Sequence, residues 1–306
     1  MINFIIRRML QLVIVIFGVT VIVFSLMHLI PGNPATIIAG EGASSETIAL
    51  VEERLGLHDP IIVQYFNFLL NAVQLDFGSS WKTSLPVISE LGPKFLVTLE
   101  LTVYSTVFSV FFGLIVGIIS SVRQYSFSDV ALMLIALFGL SMPNFWLGLM
   151  LMQWFSINLG WFPPTGWGSA SQVVLPVITL GTMGAAIIAR MTRSSMLDVI
   201  SQDYIRTARA KGLKESTVIY KHALKNALIP VVTIIGLQFG SLLAGSVLTE
   251  SVFAINGMGK LIVDRILARD FPVVQASILI IAVIFVLVNL IVDISYRYLN
   301  KRVDLN

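Results

Sequence analysis

Few side chains in this chain of 306 residues are of the kinds that make and break covalent bonds. Cysteine is absent, which removes thiolate metal sites, iron–sulfur clusters, a cysteine nucleophile and a disulfide scaffold together. The three histidines, His28, His58 and His222, are scattered, which argues against a zinc enzyme. His222 has no carboxylate or cysteine at ligand spacing and reads as surface polar. No glycine-rich loop ends in Gly-Lys-Ser/Thr, so the chain is not itself a nucleotide hydrolase. No catalytic, cofactor-binding or metal residue is therefore expected. The ionisable groups that remain among apolar residues are Glu100 and Glu250, near the outer ends of two apolar runs, and Asp293, near the inner end of a third. An unpaired charge in hydrocarbon is costly, so each is a candidate for function. A structural role is favoured, because each can reach the interface or a neighbour, such as Arg190 for Asp293. Asn144, Gln153, Gln238 and Asn289 lie deeper and are the candidate lining of a passage. They either hydrogen-bond a passing solute or tie helices together, the second being slightly favoured. Arg190 and Arg193 flank the inner end of the fourth run, where contact with lipid phosphates is expected rather than substrate binding.

The elements that hold these residues follow from composition. Hydrophobic residues make up 56% of the chain and charged ones 12%, against about 25% charged in a soluble domain. Mean hydropathy is +0.89, so lipid is its main solvent. The net charge of +3 does not indicate nucleic acid, since the basic residues form no compact module with base-stacking aromatics. A membrane helix needs about 20 mostly apolar residues. Six such runs lie near Met9–Ile30, Phe95–Val122, Val130–Leu159, Val173–Met191, Leu228–Glu250 and Val274–Tyr296. The first is longer than a signal-peptide core and ends at a turn, Pro31-Gly32-Asn33-Pro34, so it reads as an anchor. Basic residues favour the cytoplasmic side. With the N-terminus inside, Arg7, Arg8, Arg123, Arg190, Arg193, Arg206, Arg209, Lys211, Lys214, Lys221, Lys225, Arg297, Lys301 and Arg302 fall inside and the other six of the 20 outside. Both termini are thus expected in the cytoplasm.

This gives an all-α, polytopic membrane protein with six transmembrane helices. Its parts are an N-terminal helix (1–30), an external cap (31–94), a five-helix core (95–299) containing a cytoplasmic loop (192–227), and a tail (300–306). In the cap, Ser44-Ser45 start a helix over Glu46–Leu55, stopped by Gly56 and Pro60. A second, Ile61–Gln74, is apolar on most sides and reads as a packing lid, or less readily as a docking surface. Gly113 and Gly117, and Gly236, Gly240 and Ala244, are small-residue packing faces. No internal repeat is visible, which slightly disfavours a carrier built from inverted halves.

The loop Thr192–Ala227 differs from the rest of the chain. Asp198–Gly212 reads as a short amphipathic helix with Tyr204, Ile205 and Ala208 on one face and Gly212 as its stop. A second helix, Glu215–Leu228, sets Val218, Ile219, Leu224 and Leu228 against Lys214, Lys221 and Lys225, and Pro230 opens the next span. Two short helices joined at a glycine make a rigid projection suited to a groove on another protein. A basic hairpin on anionic lipid heads is the competing reading on composition alone.

The loop resembles the cytoplasmic coupling ("EAA") loop of permease subunits of binding-protein-dependent ABC importers. Arg206-Thr207-Ala208 stands where Glu-Ala-Ala is commonest, Gly212 matches the family glycine, and Leu224 and Pro230 lie in the hydrophobic tail. The glutamate is missing. Nearly end to end, the chain is similar to the dipeptide/oligopeptide B-type permeases with their nickel and glutathione relatives. The likeness rests on ordered motifs: Pro31–Ala35; Leu55–Pro60 with Val63–Tyr65; Asp76–Ser80; Ser141–Gly148; Ala189–Met196; Tyr204–Gly212; and Arg269–Gln275. Asn256-Gly257-Met258-Gly259 departs from the Pro-Gly-x-Gly common in that branch.

The resemblance implies a type I ABC importer permease fold (MetI-like) in a prokaryotic plasma (inner) membrane. It also implies a non-catalytic subunit, with ATP and Mg held by partners. The implied partners are a second homologous permease, two ATP-binding subunits, an extracytoplasmic solute-binding protein and membrane lipid, with no nucleic acid. ATPase coupling would fall on Tyr204, Ala208, Arg209, Ala210, Lys211, Gly212, Leu213 and Lys214. Receptor docking or a gate would fall on Asn256, Gly257, Gly259, Arg269 and Asp270. Peptides are the expected solute, with glutathione, nickel or a nickel chelate as alternatives. The rivals are a stand-alone secondary carrier or channel, which predicts ion-coupling carboxylates at mid-membrane, and an intramembrane enzyme, for which the side chains give little.

Overall fold

The computed structural model describes residues 2–29, 33–40 and 42–299. Its helices are α1 (Ile2–Leu29), α2 (Pro34–Ala39), α3 (Ser45–Arg54), α4 (Ile61–Val73), α5 (Val87–Val122), α6 (Phe127–Ser141), α7 (Asn144–Leu151), α8 (Ala170–Ile200), α9 (Asp203–Ala210), α10 (Glu215–Thr217), α11 (Leu224–Gly245), α12 (Val247–Val252), α13 (Met258–Leu267) and α14 (Phe271–Leu299). Wider, π-type turns continue α7 over Met152–Asn158 and join α10 to α11 over Val218–Ala223. Among the described residues there is no strand, only an isolated bridge between Ser79 and Pro86. The turn expected at Pro31-Gly32 and the tail 300–306 lie outside the described residues.

Five helical runs, in α1, α5, α8, α10–α11 and α14, are long and apolar enough to cross a membrane, and there are six if α6 and α7 count as one bent span. The third expected span is this pair, bent by 104° between its two helices. Met142 precedes a proline and is pushed out of the helical region, to φ −81 and ψ 131, where α6 stops. Pro143 then precedes α7 with ψ 133. The bend is held by close packing, since a Cβ on Gly148 would lie 3.2 Å from Phe253 and 3.3 Å from Thr179. Elsewhere the helices outrun the apolar stretches. α5 begins at Val87 and passes through Pro93, while α8 begins at Ala170, passes through Pro176 and ends at Ile200. The fifth expected span divides at Ser246 into α11 and α12.

Residues 1–96 with 257–286 form one compact unit. In it, Asn33 caps α2 by accepting from Ala35 N at 2.9 Å, and Ser44 caps α3 by accepting from Thr47 N at 3.2 Å. α4 lies on α1 through Tyr65, whose hydroxyl is 2.8 Å from that of Thr20 and whose ring meets Phe17 and Phe24 edge-on. Val87, Leu91, Met258, Leu261, Val273 and Ala276 form its buried core. Gln275 donates to Val23 O at 3.1 Å and so ties α14 to α1.

Residues 97–256 with 287–299 form the second unit. α8 is its most buried span, with 56% of its apolar window inside the protein against 11–33% for the other four unbroken spans. α5 lies directly on it: a Cβ on Gly117 would sit 2.6 Å from Thr192 Cβ and 2.7 Å from Ala189 O. At Gly236 an added Cβ would stand 1.9 Å from Val292, so α11 and α14 touch there as closely. Both expected small-residue faces therefore bring backbones together, as dispersion-driven packing in lipid requires. Glu250 is fully buried and accepts from Thr98 and Ser246 hydroxyls, both at 2.7 Å.

Candidate functional site: the elbow between the fourth and fifth spans

The chain beyond α8 turns at Ser201-Gln202, where Gln202 is extended (φ −72, ψ 149) and α9 begins. The helix expected over Asp198–Gly212 is thus two pieces, the first being the end of α8. After α9 the chain reverses at Gly212, whose φ of +73 is a left-handed conformation that side chains with a Cβ rarely adopt. Gly212 N donates to Arg209 O at 2.9 Å. The second loop helix runs through π-type turns without a break into α11, and Pro230 lies inside α11 instead of marking its start. Pro230 is the seventh residue of α11, where it removes one interior N–H donor without ending the helix, so the boundary read from proline was placed too late. Only short connections therefore separate long, stiff helices.

A small core holds the elbow. Met196, Ile205, Ala208, Val218, Ile219, Ala223 and Ala227 are buried together, with Ile118, Val199, Ile200 and Leu224 packed around them. Where this core lies beyond the apolar run, burying Ile205 or Val218 contributes about 1.5–3 kcal/mol each. Ala208 is inward-facing, 8% exposed, and lies within this core. Tyr204, grouped with Ile205 in the sequence reading, is instead 44% exposed, its hydroxyl accepting from Asn226 Nδ2 at 2.8 Å. Arg209 crosses the turn to Glu215 with two hydrogen bonds, Nε to Oε2 at 3.2 Å and Nη2 to Oε1 at 2.7 Å. That carboxylate holds the Arg209 guanidinium above its usual pKa. Ala210, Lys211 and Lys214 are exposed, as are Leu213 (41%) and Tyr220 (62%). The result is a stiff projection with two tyrosines, a leucine and cations on its rim.

The other expected site residues are dispersed. Asn144 begins α7, just past the bend; Gln153 is exposed and donates to Asn158 Oδ1 at 3.1 Å. Gln238 is half-buried on α11, and Asn289 on α14 has a buried, unpartnered Oδ1. Among the described residues no hydrogen bond joins any two of these four. Of the external set, Asn256 is exposed, Gly257 and Gly259 are buried at the start of α13, and Arg269 is exposed with φ +57. Asp270 is fully buried: it accepts from Ser80 Oγ at 2.5 Å and Trp81 N at 2.9 Å and pairs with Arg265 Nη1 at 3.4 Å. Arg265 in turn binds Glu90 at 2.6 Å. The motifs Asp76–Ser80 and Arg269–Gln275, far apart in sequence, thus meet in one polar knot.

Sequence reading missed a second knot. Asp129 at the start of α6 takes a bidentate pair from Arg193 on α8, Nε to Oδ1 and Nη2 to Oδ2, both 2.7 Å. Ser120 Oγ and Tyr125 N also donate to it. Arg193 is therefore engaged with protein, which corrects its assignment to lipid. Asp129 follows the capping Ser126 and read as an ordinary first-turn acid; nothing in the sequence signals a partner 64 residues away.

The described helices are those of a polytopic membrane protein, with a packed elbow between its fourth and fifth spans. A model of the binding-protein-dependent transport system inner membrane component matches residues 109–305, and one of the N-terminal part of such components matches residues 1–102. The chain belongs to this family of ABC importer permeases. It is 46% identical to the dipeptide transport system permease protein DppB of Alkalihalophilus pseudofirmus, covering 99% of each chain. To the glutathione transport system permease protein GsiC of Escherichia coli K12 it is 47% identical, again over 99% of each. Among solved structures it resembles an inward-facing form of the MetNI methionine ABC transporter, with a TM-score of 0.60 and 21% identity over 70% of this chain and 97% of that one. The fold is accordingly the type I importer permease fold, in a multi-pass inner-membrane protein.

Proposed function

We propose that this subunit supplies half of the passage for peptides or glutathione in an ATP-driven importer. Separate ATPases grip the elbow along Tyr204, Arg209–Lys214 and Tyr220. The observation that carries this reading is the elbow's construction: a buried core centred on Ile205 and Val218 under an exposed rim. A packed core moves as a body, so force applied at the rim passes into α8 and α11 without being absorbed in a loose loop. Peptide or glutathione is preferred to a nickel chelate because the named relatives carry dipeptide and glutathione.

The working assembly then holds a second, homologous permease chain, two ATP-binding subunits that keep ATP and Mg, and an external solute-binding protein. The bias of the basic residues puts both termini and the elbow in the cytoplasm. Asn256, Gly257, Gly259, Arg269 and Asp270 then lie toward the solute-binding protein. Asn144, Gln153, Gln238 and Asn289 are the amides offered to the passage. Co-reconstitution in vesicles tests the reading: the full assembly should accumulate peptide only with ATP, and uptake by this chain without ATPases would overturn it.

A further inference from the structure

One face of α8 in the second unit is left open. Met183, Ile187, Arg190, Met191 and Ser194 follow one another at helical spacing along it. At the end nearer the elbow, Ile187, Arg190, Met191, Arg193 and Ser194 join Met133 of α6 around an open cavity of about 500 Å³. Arg193 is fixed in its wall by Asp129 and largely neutralised by it, leaving Nη1 and one hydrogen of Nη2 able to donate. Arg190 is exposed and has no hydrogen bond or ion pair among the described residues. The cavity therefore carries about one net positive charge, a serine hydroxyl and an adaptable apolar wall.

Such a cavity is complementary to a small solute with one carboxylate and a variable body. Methionine side chains are flexible and polarizable, and they accommodate different shapes on one surface. A guanidinium supplies paired donors matched to a carboxylate. A phospholipid phosphate would satisfy the same donors. Against that source stands the position of α8, the most buried of the unbroken spans, whose open stripe is suited to lining a passage and not to facing bulk lipid.

We propose that this cavity receives the carboxylate of the transported solute on its way through, with Arg190 as the counter-ion and Met133 and Met191 as the adaptable wall. The inference rests on the importer reading above and deepens it: the substrate class becomes small solutes with a free carboxylate. Arg190 lies outside the buried cores, so changing it leaves the fold intact.

The test is equilibrium binding to the purified permease–ATPase assembly without the external receptor, using labelled alanyl-alanine and its C-terminal amide. In Arg190→Gln, dipeptide binding should weaken about ten-fold or more, as expected for loss of a charge-assisted hydrogen bond. Binding of the amide should not change, and Arg190→Lys should keep most of the dipeptide affinity. An Arg190→Gln assembly that binds both compounds as the wild type does, or loses both alike, contradicts the proposal, as does a wild type that binds no dipeptide. Loss of co-purified phosphatidylglycerol, counted by mass spectrometry, with dipeptide binding unchanged would assign the cation to lipid and overturn it. Wild-type vesicles that fail to import peptide with ATP would remove the importer reading and this inference together. Wild-type import with unaltered Arg190→Gln binding would remove only the inference.

Discussion

Gly212 and Ile205 do different work in the elbow, and substitution separates them. At Gly212 the chain turns with φ +73, a conformation that costs a residue with a Cβ about 1–2 kcal/mol. Gly212→Val should leave the protein inserted while lowering solute uptake per ATP hydrolysed in reconstituted vesicles; an unchanged ratio would show that the turn's shape is immaterial. Ile205 is fully buried, and Ile205→Ala should cost about 2–5 kcal/mol of local stability. Faster amide hydrogen exchange over α9 is the readout. Ala208→Asp would place a carboxylate in the same core, so its effect on coupling would come from unpacking the elbow. The Asp129–Arg193 pair is a third case. Asp129→Asn leaves Arg193 without its charge partner, and breaking such a buried pair costs about 3–5 kcal/mol. The thermal midpoint of the purified protein should fall clearly, and an unmoved midpoint would mean that the pair contributes little.

At the scale of elements, hydropathy made the long helices legible because lipid demands a run of apolar residues with its backbone bonds closed internally. The cap helices were legible too: Ser44 and Gly56 bound α3 where capping chemistry puts them, and α4 starts after Pro60. Three features were not. The 104° corner at Met142-Pro143 lies within a continuous apolar run, so hydropathy joins α6 to α7, although the proline was visible. The π-type turns at Val218–Ala223 fuse the loop helix with α11, and no residue pattern announces them. Pairings such as Asp129–Arg193 and Asp270–Ser80 depend on which helices meet, information that periodicity within one helix does not hold. The elbow's core, by contrast, was mostly readable, since Ile205, Ala208, Val218 and Ile219 recur at helical spacing and are buried. Close helix contact gives a prediction at this scale. Gly117→Leu would drive a side chain into Thr192 and the Ala189 carbonyl, so α5 and α8 should separate. A sharp fall in detergent-stable protein is expected, and normal yield and melting would mean that the helices have room to shift.

For the whole molecule, function depends on partners as much as on this chain. Its family is that of importer permeases in binding-protein-dependent transport, and in the proposed reading the chain's part is to shape a passage and pass on movement. In the proposed reading the elbow is where movement enters, because its core joins the end of α8 to the start of α11. The absence of cysteine makes the claim accessible, since a single introduced thiol needs no background to be removed. The most direct measurement places one cysteine at Leu213 or at Tyr220, both on the exposed rim, and crosslinks it with a short bifunctional reagent in native membranes. The account predicts a product joined to a nucleotide-hydrolysing subunit, with a yield that changes when ATP is bound. Adducts to phospholipid alone, with no such subunit captured from either position, would contradict it.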